Sequence, residues 1–345
     1  MERPVMNPMF LEGAPPPPRR KKGLIWRITK LLQFVVAVFM FDLFFWRKRS
    51  KLTVEDGSLL MRMMRGLAYR LVFLPVLLFF VFSCMVWLGT HPYRAPTTSD
   101  PLSQGTYFDP VSFNSRDGTR IEGWLVPVVT AKNVLEQKDK ILNIKSPAVV
   151  LVPDHANSRT QMLPLVKPLH KAGYIVLVVE LRGTNGATTG LTFGLNEADD
   201  IVAGVDMLRR RSDVDASRIA VLGIGTGANA AMLAGAHDGG IAAVILERPV
   251  KEVDEMIYEH LGPPQPWLRW ARPVCKWIFE VAYRVDTDDL NTEDCQRALR
   301  GRPVLFLDTS GAGLAVFQKQ GSQQMQEFLA RYVAKKPVSG LAGVN

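Results

Sequence analysis

From residue 148 onward, short continuous apolar runs alternate with segments of helical periodicity, and that alternation leaves few architectures open. Ala148-Val-Val-Leu-Val, Tyr174-Ile-Val-Leu-Val-Val, Ile219-Ala-Val-Leu-Gly, Ile241-Ala-Ala-Val-Ile-Leu and Pro303-Val-Leu-Phe-Leu are apolar throughout. Strands read this way when both of their faces are covered, as in a parallel sheet flanked by helices. Helical patterns fall between them at Arg159–Lys171, Asn196–Arg210 and Thr226–Ala236, and after the last at Gly321–Val333. Ahead of them, Val111–Ser115 and Thr119–Pro127 flank Asp117-Gly118, the signature of a β-hairpin. The expected fold class is therefore α/β: a mostly parallel sheet with helices on both faces. Residues 250–300 interrupt the alternation and are expected to form a cap insertion. They are rich in apolar and aromatic side chains, among them Tyr258, Leu261, Trp267, Trp270, Trp277, Phe279 and Tyr283. The spacing of Trp270, Trp277 and Phe279 suits core packing. An exposed patch would instead suit a small apolar ligand, a lipid or a protein partner near the bilayer.

The N-terminal third has a different character. The first 70 residues carry 14 Lys and Arg against 5 Asp and Glu, which accounts for the whole net charge of +9. The remainder is neutral, so the globular part shows no footprint for nucleic acid. Residues 1–30 are a proline-rich, basic and disordered lead-in. Leu71–Gly89 is uncharged and long enough for a bilayer core, so residues 67–90 are expected to form a transmembrane helix. The run at residues 31–46 contains Gln33 and Asp42 and is basic on both flanks. It either lies in the interface, leaving one span, or crosses to make a hairpin. Residues 91–106 form a linker with a single arginine, which favours one span and a domain on the extracytoplasmic side. Protease protection of the domain in sealed vesicles separates the two topologies. Residues 107–345 are the globular domain. Of the three cysteines, Cys275 and Cys295 either pair or remain thiols, and Cys84 lies in the apolar run.

Several segments together carry a resemblance. They are "SRDGTRIEGWLVP", "VVLVPDHANSR", "GYIVLVVELRGTNGAT", the block from Thr192 to Ala231 that contains "LGIGTGANAA", and "IAAVILERP". In order and spacing they resemble the α/β-hydrolase superfamily, in particular its serine esterase and peptidase branch, whose members often have an N-terminal membrane segment. The resemblance covers residues 107–335. It implies a serine nucleophile in a Gly-x-Ser-x-Gly elbow, an acid, a histidine base and an oxyanion hole.

The matching elbow is Gly223-Ile224-Gly225-Thr226-Gly227, so the nucleophile position is Gly225, which has no side chain to attack with. A glycine there relieves the strain of the elbow apex. The oxyanion hole implied by the resemblance falls on the N–H groups of His155 and Thr226. The family's usual His-Gly is replaced by Pro153-Asp154-His155, and Asp154 brings negative charge to a site built to stabilise it, unless it is a solvated loop carboxylate. The acid position falls on Ala312 or Gly311, with Asp308 too early. The base is absent, since no histidine follows His260. His170 and His237 are expected on solvated helix faces. No metal cluster, phosphate loop or dinucleotide fingerprint is present, so no cofactor or metal is expected. Three readings follow: a membrane-bound pseudoenzyme that binds a ligand or partner, an active hydrolase of esters or amides with a relocated site built on Thr226, Asp308 and His155 or His260, or a membrane-tethered scaffold with no ligand.

Overall fold

The computed structural model describes residues 59–92, 97–128, 145–155, 157–182, 189–249, 257–258, 260–263, 266–290, 292–307 and 322–334. The basic lead-in, the run at residues 31–46, Asp308, Gly311 and Ala312 lie outside them.

Among the described residues, a seven-stranded sheet organises the domain. Its strands are β1 (Asp109–Asn114), β2 (Arg120–Val126), β3 (Ser146–Val152), β4 (Ile175–Val179), β5 (Val214–Ile224), β6 (Ala243–Glu247) and β7 (Val304–Leu307). Their spatial order is β1-β2-β4-β3-β5-β6-β7. The β1–β2 hairpin is antiparallel, β2 joins β4 antiparallel, and β4, β3, β5, β6 and β7 are mutually parallel. The sheet is therefore mostly parallel, as the apolar runs require. Strand β5 begins at Val214 rather than Ile219, because Val214 pairs with Ser146 ahead of a register shift.

The described helices are α1 (Leu59–Thr90), α2 (Leu163–Lys171), α3 (Leu195–Arg209), α4 (Thr226–His237), α5 (Arg272–Tyr283), α6 (Thr292–Ala298) and α7 (Ser322–Tyr332). Alternate strand residues face opposite sides, so two cores form. Val150, Val152, Leu177, Val179 and Val221 pack with residues of α3, α4 and α5. Val149, Leu151, Val176, Val178 and Leu222 pack with residues of α2 and α7. Helix α4 is buried from Thr226 to Gly235. Its small side chains let it lie close to the sheet beside α3 and α6. Helix α3 starts where Glu197 accepts the N–H groups of Thr192 and Gly194, at 2.8 and 2.9 Å, in a cap that turns Thr192-Phe-Gly into the helix.

Between β6 and β7 the cap comprises a 3-10 turn Pro266–Ala271, α5, a second turn Thr287–Leu290 and α6. Only part of the expected core packing holds here. Phe279 is fully buried, but Trp270 and Trp277 are more than half exposed. The i, i+4 stripe that carries Trp277 points away from the sheet, on the face opposite Cys275, Ile278 and Phe279. Cys275 and Cys295 are buried free thiols and Cys84 is exposed. His170 is not on a solvated face: its Nε2 donates to the Pro127 carbonyl at 3.2 Å, and burial lowers its pKa.

Helix α1 holds the one window among the described residues, Phe73–Thr90, that is long and apolar enough to cross a membrane. Residues from Pro75 onward form one compact unit, and those up to Leu74 another.

A buried ion network ties the hairpin to the parallel sheet. Arg182, just past β4, donates from Nε to Asp200 Oδ2 of α3 at 2.9 Å, and Nη2 also bonds Asp200. Nη1 donates to Asp117 Oδ2, in the β1–β2 turn, at 2.7 Å. Asp200 is fully buried and Asp117 about half exposed.

Candidate active site

The elbow is built where β5 hands over to α4. Strand β5 ends at Ile224, α4 begins at Thr226, and Gly225 between them has φ 57° and ψ −120°, a conformation that side-chain-bearing residues adopt only under strain. Its N–H donates to the Glu247 carbonyl at 2.9 Å, which ties the apex to β6. The flanking glycines serve close approach: a Cβ on Gly223 would lie 2.1 Å from the Gly227 carbonyl oxygen, and one on Gly227 would lie 2.4 Å from that of Pro153. The turn is thus the strand–turn–helix in which this fold class presents a nucleophile.

The space for that nucleophile is taken. A Cβ on Gly225 would lie 2.5 Å from Asp154 Oδ1, 2.6 Å from its Cγ and 2.9 Å from Oδ2. Asp154 follows β3 in the loop, and its side chain reaches over the elbow. Its Oδ1 accepts the backbone N–H of Thr226 at 3.0 Å and that of His155 at 2.9 Å. These are the two N–H groups, one after the apex and one from the loop after β3, that an oxyanion hole on this fold uses. The same oxygen accepts from Thr226 Oγ1 at 3.0 Å and faces His155 Nδ1 at 3.0 Å. The loop is braced from behind by the Asp154 N–H, which donates to Gln161 Oε1 at 2.9 Å. Asp154 is therefore not a solvated loop carboxylate.

Electrostatics agree with the geometry. Burial by itself would raise the Asp154 pKa, but His155 and the donors of Thr226 outweigh it and hold the carboxyl at about 2. A hole made to stabilise a developing negative oxygen already holds a permanent one. The lowered pKa also sets a sign. The carboxylate's contribution to stability is complete above the ordinary value of 3.8 and disappears as pH falls toward about 2. Asp154→Asn, followed by urea unfolding in detergent, is expected to cost about 2 kcal/mol near neutral pH. The gap to the unmodified protein should close across that acidic window. A gap that stays constant down to the lower limit would refute the assignment.

The other sequence candidates are placed as follows. Thr226 is buried, with Oγ1 accepting the His155 N–H at 2.9 Å and donating to Asp154. Among the described contacts the His155 ring meets Asp154 rather than Thr226 Oγ1. The His260 ring stands edge-on to that of His155, 4.9 Å away, and both neighbour Phe193. An aromatic series continues from Phe193 through Phe279 to Tyr283, at 5.9 and 5.3 Å. Phe193 and Phe279 were not legible as site residues, because nothing in their spacing marks them. A separate open cleft of about 370 Å³ is lined by Asp100, Phe108, Trp124 and Arg159, among others. There the Arg159 guanidinium stacks on Trp124 at 4.5 Å and pairs with Glu180 at 3.0 Å.

Comparison with known proteins bears on the same stretch. Residues 161–278, from the end of the loop after β3 through the elbow to the cap, match the model of the prolyl oligopeptidase family. The sheet superposes on an esterase from Pyrococcus furiosus with a TM-score of 0.52, at 17% identity, over 71% of this chain and 100% of that one. The chain has the α/β-hydrolase fold. Among curated relatives, the uncharacterized protein YfhR of Escherichia coli K12 is 31% identical over 142 residues, 40% of this chain and 45% of that protein. The alpha/beta hydrolase domain-containing protein WAV2 of Arabidopsis thaliana is 24% identical over 172 residues, 49% of this chain and 50% of that protein. The chain spans about half the length of these curated relatives.

Proposed function

We propose that this protein is a membrane-anchored, non-catalytic member of the α/β-hydrolase superfamily, kept for binding a ligand or a protein partner at its cap rather than for hydrolysis. One observation carries the reading: the Asp154 carboxylate fills both the space of the missing nucleophile side chain and the oxyanion hole. A substrate carbonyl entering the elbow would have to displace four hydrogen-bond donors from a partly buried anion. The Asp154–His155 pair resembles the acid–base half of a triad, and it is the observation that favours an active site built on Thr226. That alternative meets a chemical obstacle. The Thr226 hydroxyl donates to Asp154 Oδ1 and accepts the His155 backbone N–H, instead of donating to the His155 ring that would have to act as its base. Apolar helix α1 supports the membrane anchor.

Purified full-length protein treated with a serine-directed fluorophosphonate is expected to remain unlabelled. It is also expected to turn over short-chain p-nitrophenyl esters no faster than heat-denatured protein. Labelling that maps to Thr226, or turnover lost on Thr226→Ala, would establish the active-hydrolase reading instead.

A further inference from the structure

The end of the apolar helix is not a tether leading away from the domain; it is built into the cap. Leu78, Phe82, Met85, Val86 and Thr90 form one stripe of α1 that packs inward, with Phe82, Val86 and Thr90 buried. Phe82 stands edge-on to Trp270, centroids 6.0 Å apart, and Thr90 Oγ1 lies 2.6 Å from the Tyr283 hydroxyl. The Thr90 carbonyl accepts the Leu191 N–H at 2.9 Å. Gly89 packs so closely that a Cβ there would lie 2.5 Å from the His260 carbonyl oxygen. Trp270 lies two residues before α5 and Tyr283 ends it, so α5 runs beside the last two turns of α1, in the same direction.

Length then decides where α5 sits. Arg70 is the last charged residue before the run, and the segment from Leu71 to Thr90 is uncharged. At 1.5 Å per residue that segment is about 30 Å long, which a bilayer core consumes entirely. No apolar length is left to lift the docked turns, or α5 beside them, clear of the acyl layer. The outer face of α5 has the matching chemistry. Pro273, Trp277 and Val281 lie at i, i+4 and i+8 and are exposed, and Trp270 extends the stripe while touching Phe82. Across the seam, α1 exposes Phe79, Phe80, Trp87 and Leu88. Charged groups lie off the stripe: Arg269 and Arg284 stand at its two ends, and Lys276 turns to Asp288 at 3.6 Å.

We infer that the outer face of α5 lies in the same bilayer as α1, so that the domain is held against the membrane by its cap. The inference rests on the membrane reading of α1 and deepens it. The occupant of the apolar stripe is lipid. The elbow and the His155–His260 pair, which adjoin Gly89 through His260, then open toward the membrane side of the domain.

The test uses the full chain in phosphatidylcholine vesicles. The Cys84→Ala background leaves Cys275 and Cys295 as buried thiols. An environment-sensitive fluorophore is attached singly through Val281→Cys on α5, Phe80→Cys on α1, or Ala216→Cys at the far end of β5. Lipid-borne nitroxide is expected to quench the labels at 281 and 80, and aqueous iodide only the label at 216. If 281 is open to iodide while 80 is quenched by lipid, the inference about α5 fails and the anchor stands. If 80 also behaves like 216, the membrane reading itself falls. A label at 281 that is shielded from iodide yet untouched by lipid nitroxide means that protein covers the stripe, which overturns the inference.

Discussion

Gly225→Ser is expected to lose about 3 kcal/mol of folding stability and to gain no hydrolytic activity. Two physical terms set the size of the loss. A non-glycine residue at φ 57° and ψ −120° costs on the order of 1–3 kcal/mol. The new Cβ also arrives 2.5 Å from Asp154 Oδ1, so the carboxylate must leave the donors of His155 and Thr226 or the elbow must open. The second term makes a further prediction, because the two sites touch. In a double-mutant cycle Asp154→Gly should relieve much of the cost of Gly225→Ser, with a coupling of about 1–2 kcal/mol. Additive losses would show that Asp154 does not occupy the nucleophile's space in solution. Activity should stay absent in the double variant as well, because removing Asp154 takes away the carboxylate that holds the His155 ring. Ester turnover by Gly225→Ser/Asp154→Gly above the single variants would reveal a base that the fold supplies from elsewhere.

Asp200→Ala is expected to be the most damaging single change away from the site, at about 3–5 kcal/mol. It strips the fully buried Arg182 guanidinium of its two-point partner on α3. Among the described hydrogen bonds it keeps Asp117 at 2.7 Å and Ser115 Oγ at 3.3 Å, and Asp117 is half in solvent. A buried charge left with so little compensation is costly, whereas the exposed arm of the same network is not. Asp117→Ala should therefore cost about 1 kcal/mol or less. Urea unfolding in detergent, followed by tryptophan fluorescence, compares the two. Equal losses would mean that the network is solvated and that the hairpin is held by its strand pairing instead. The uncharged pair Arg182→Met/Asp200→Leu should recover much of the loss, since apolar replacements of a buried ion pair are often near neutral.

Much of the sheet could be read from one dimension because its information is local. A strand covered on both faces must be apolar at every position, and Val149-Val-Leu-Val and Ile175-Val-Leu-Val-Val state that directly. The errors arose where a distant partner decided the matter. Val214 is a strand residue because Ser146 pairs with it. Trp277 looked like core and is exposed, because helical periodicity identifies faces without saying which one turns inward. The solvated reading of Asp154 failed for a related reason: its four donors include two from Thr226, 72 residues further along the chain.

By itself, the sequence determined that the chain folds as an α/β parallel sheet and that glycine stands at the elbow apex. These are statements about which atoms exist and which local conformations they favour. The tertiary structure alone decided what fills the vacated apex and where the apolar helix ends. A carboxylate two residues past β3 and a turn after β5 meet only because β3 and β5 are neighbours in the sheet. Phe82 and Thr90 reach the cap only because helix α5 is folded back beside them. Both facts are distances between segments far apart in the chain, and no periodicity or composition encodes a distance.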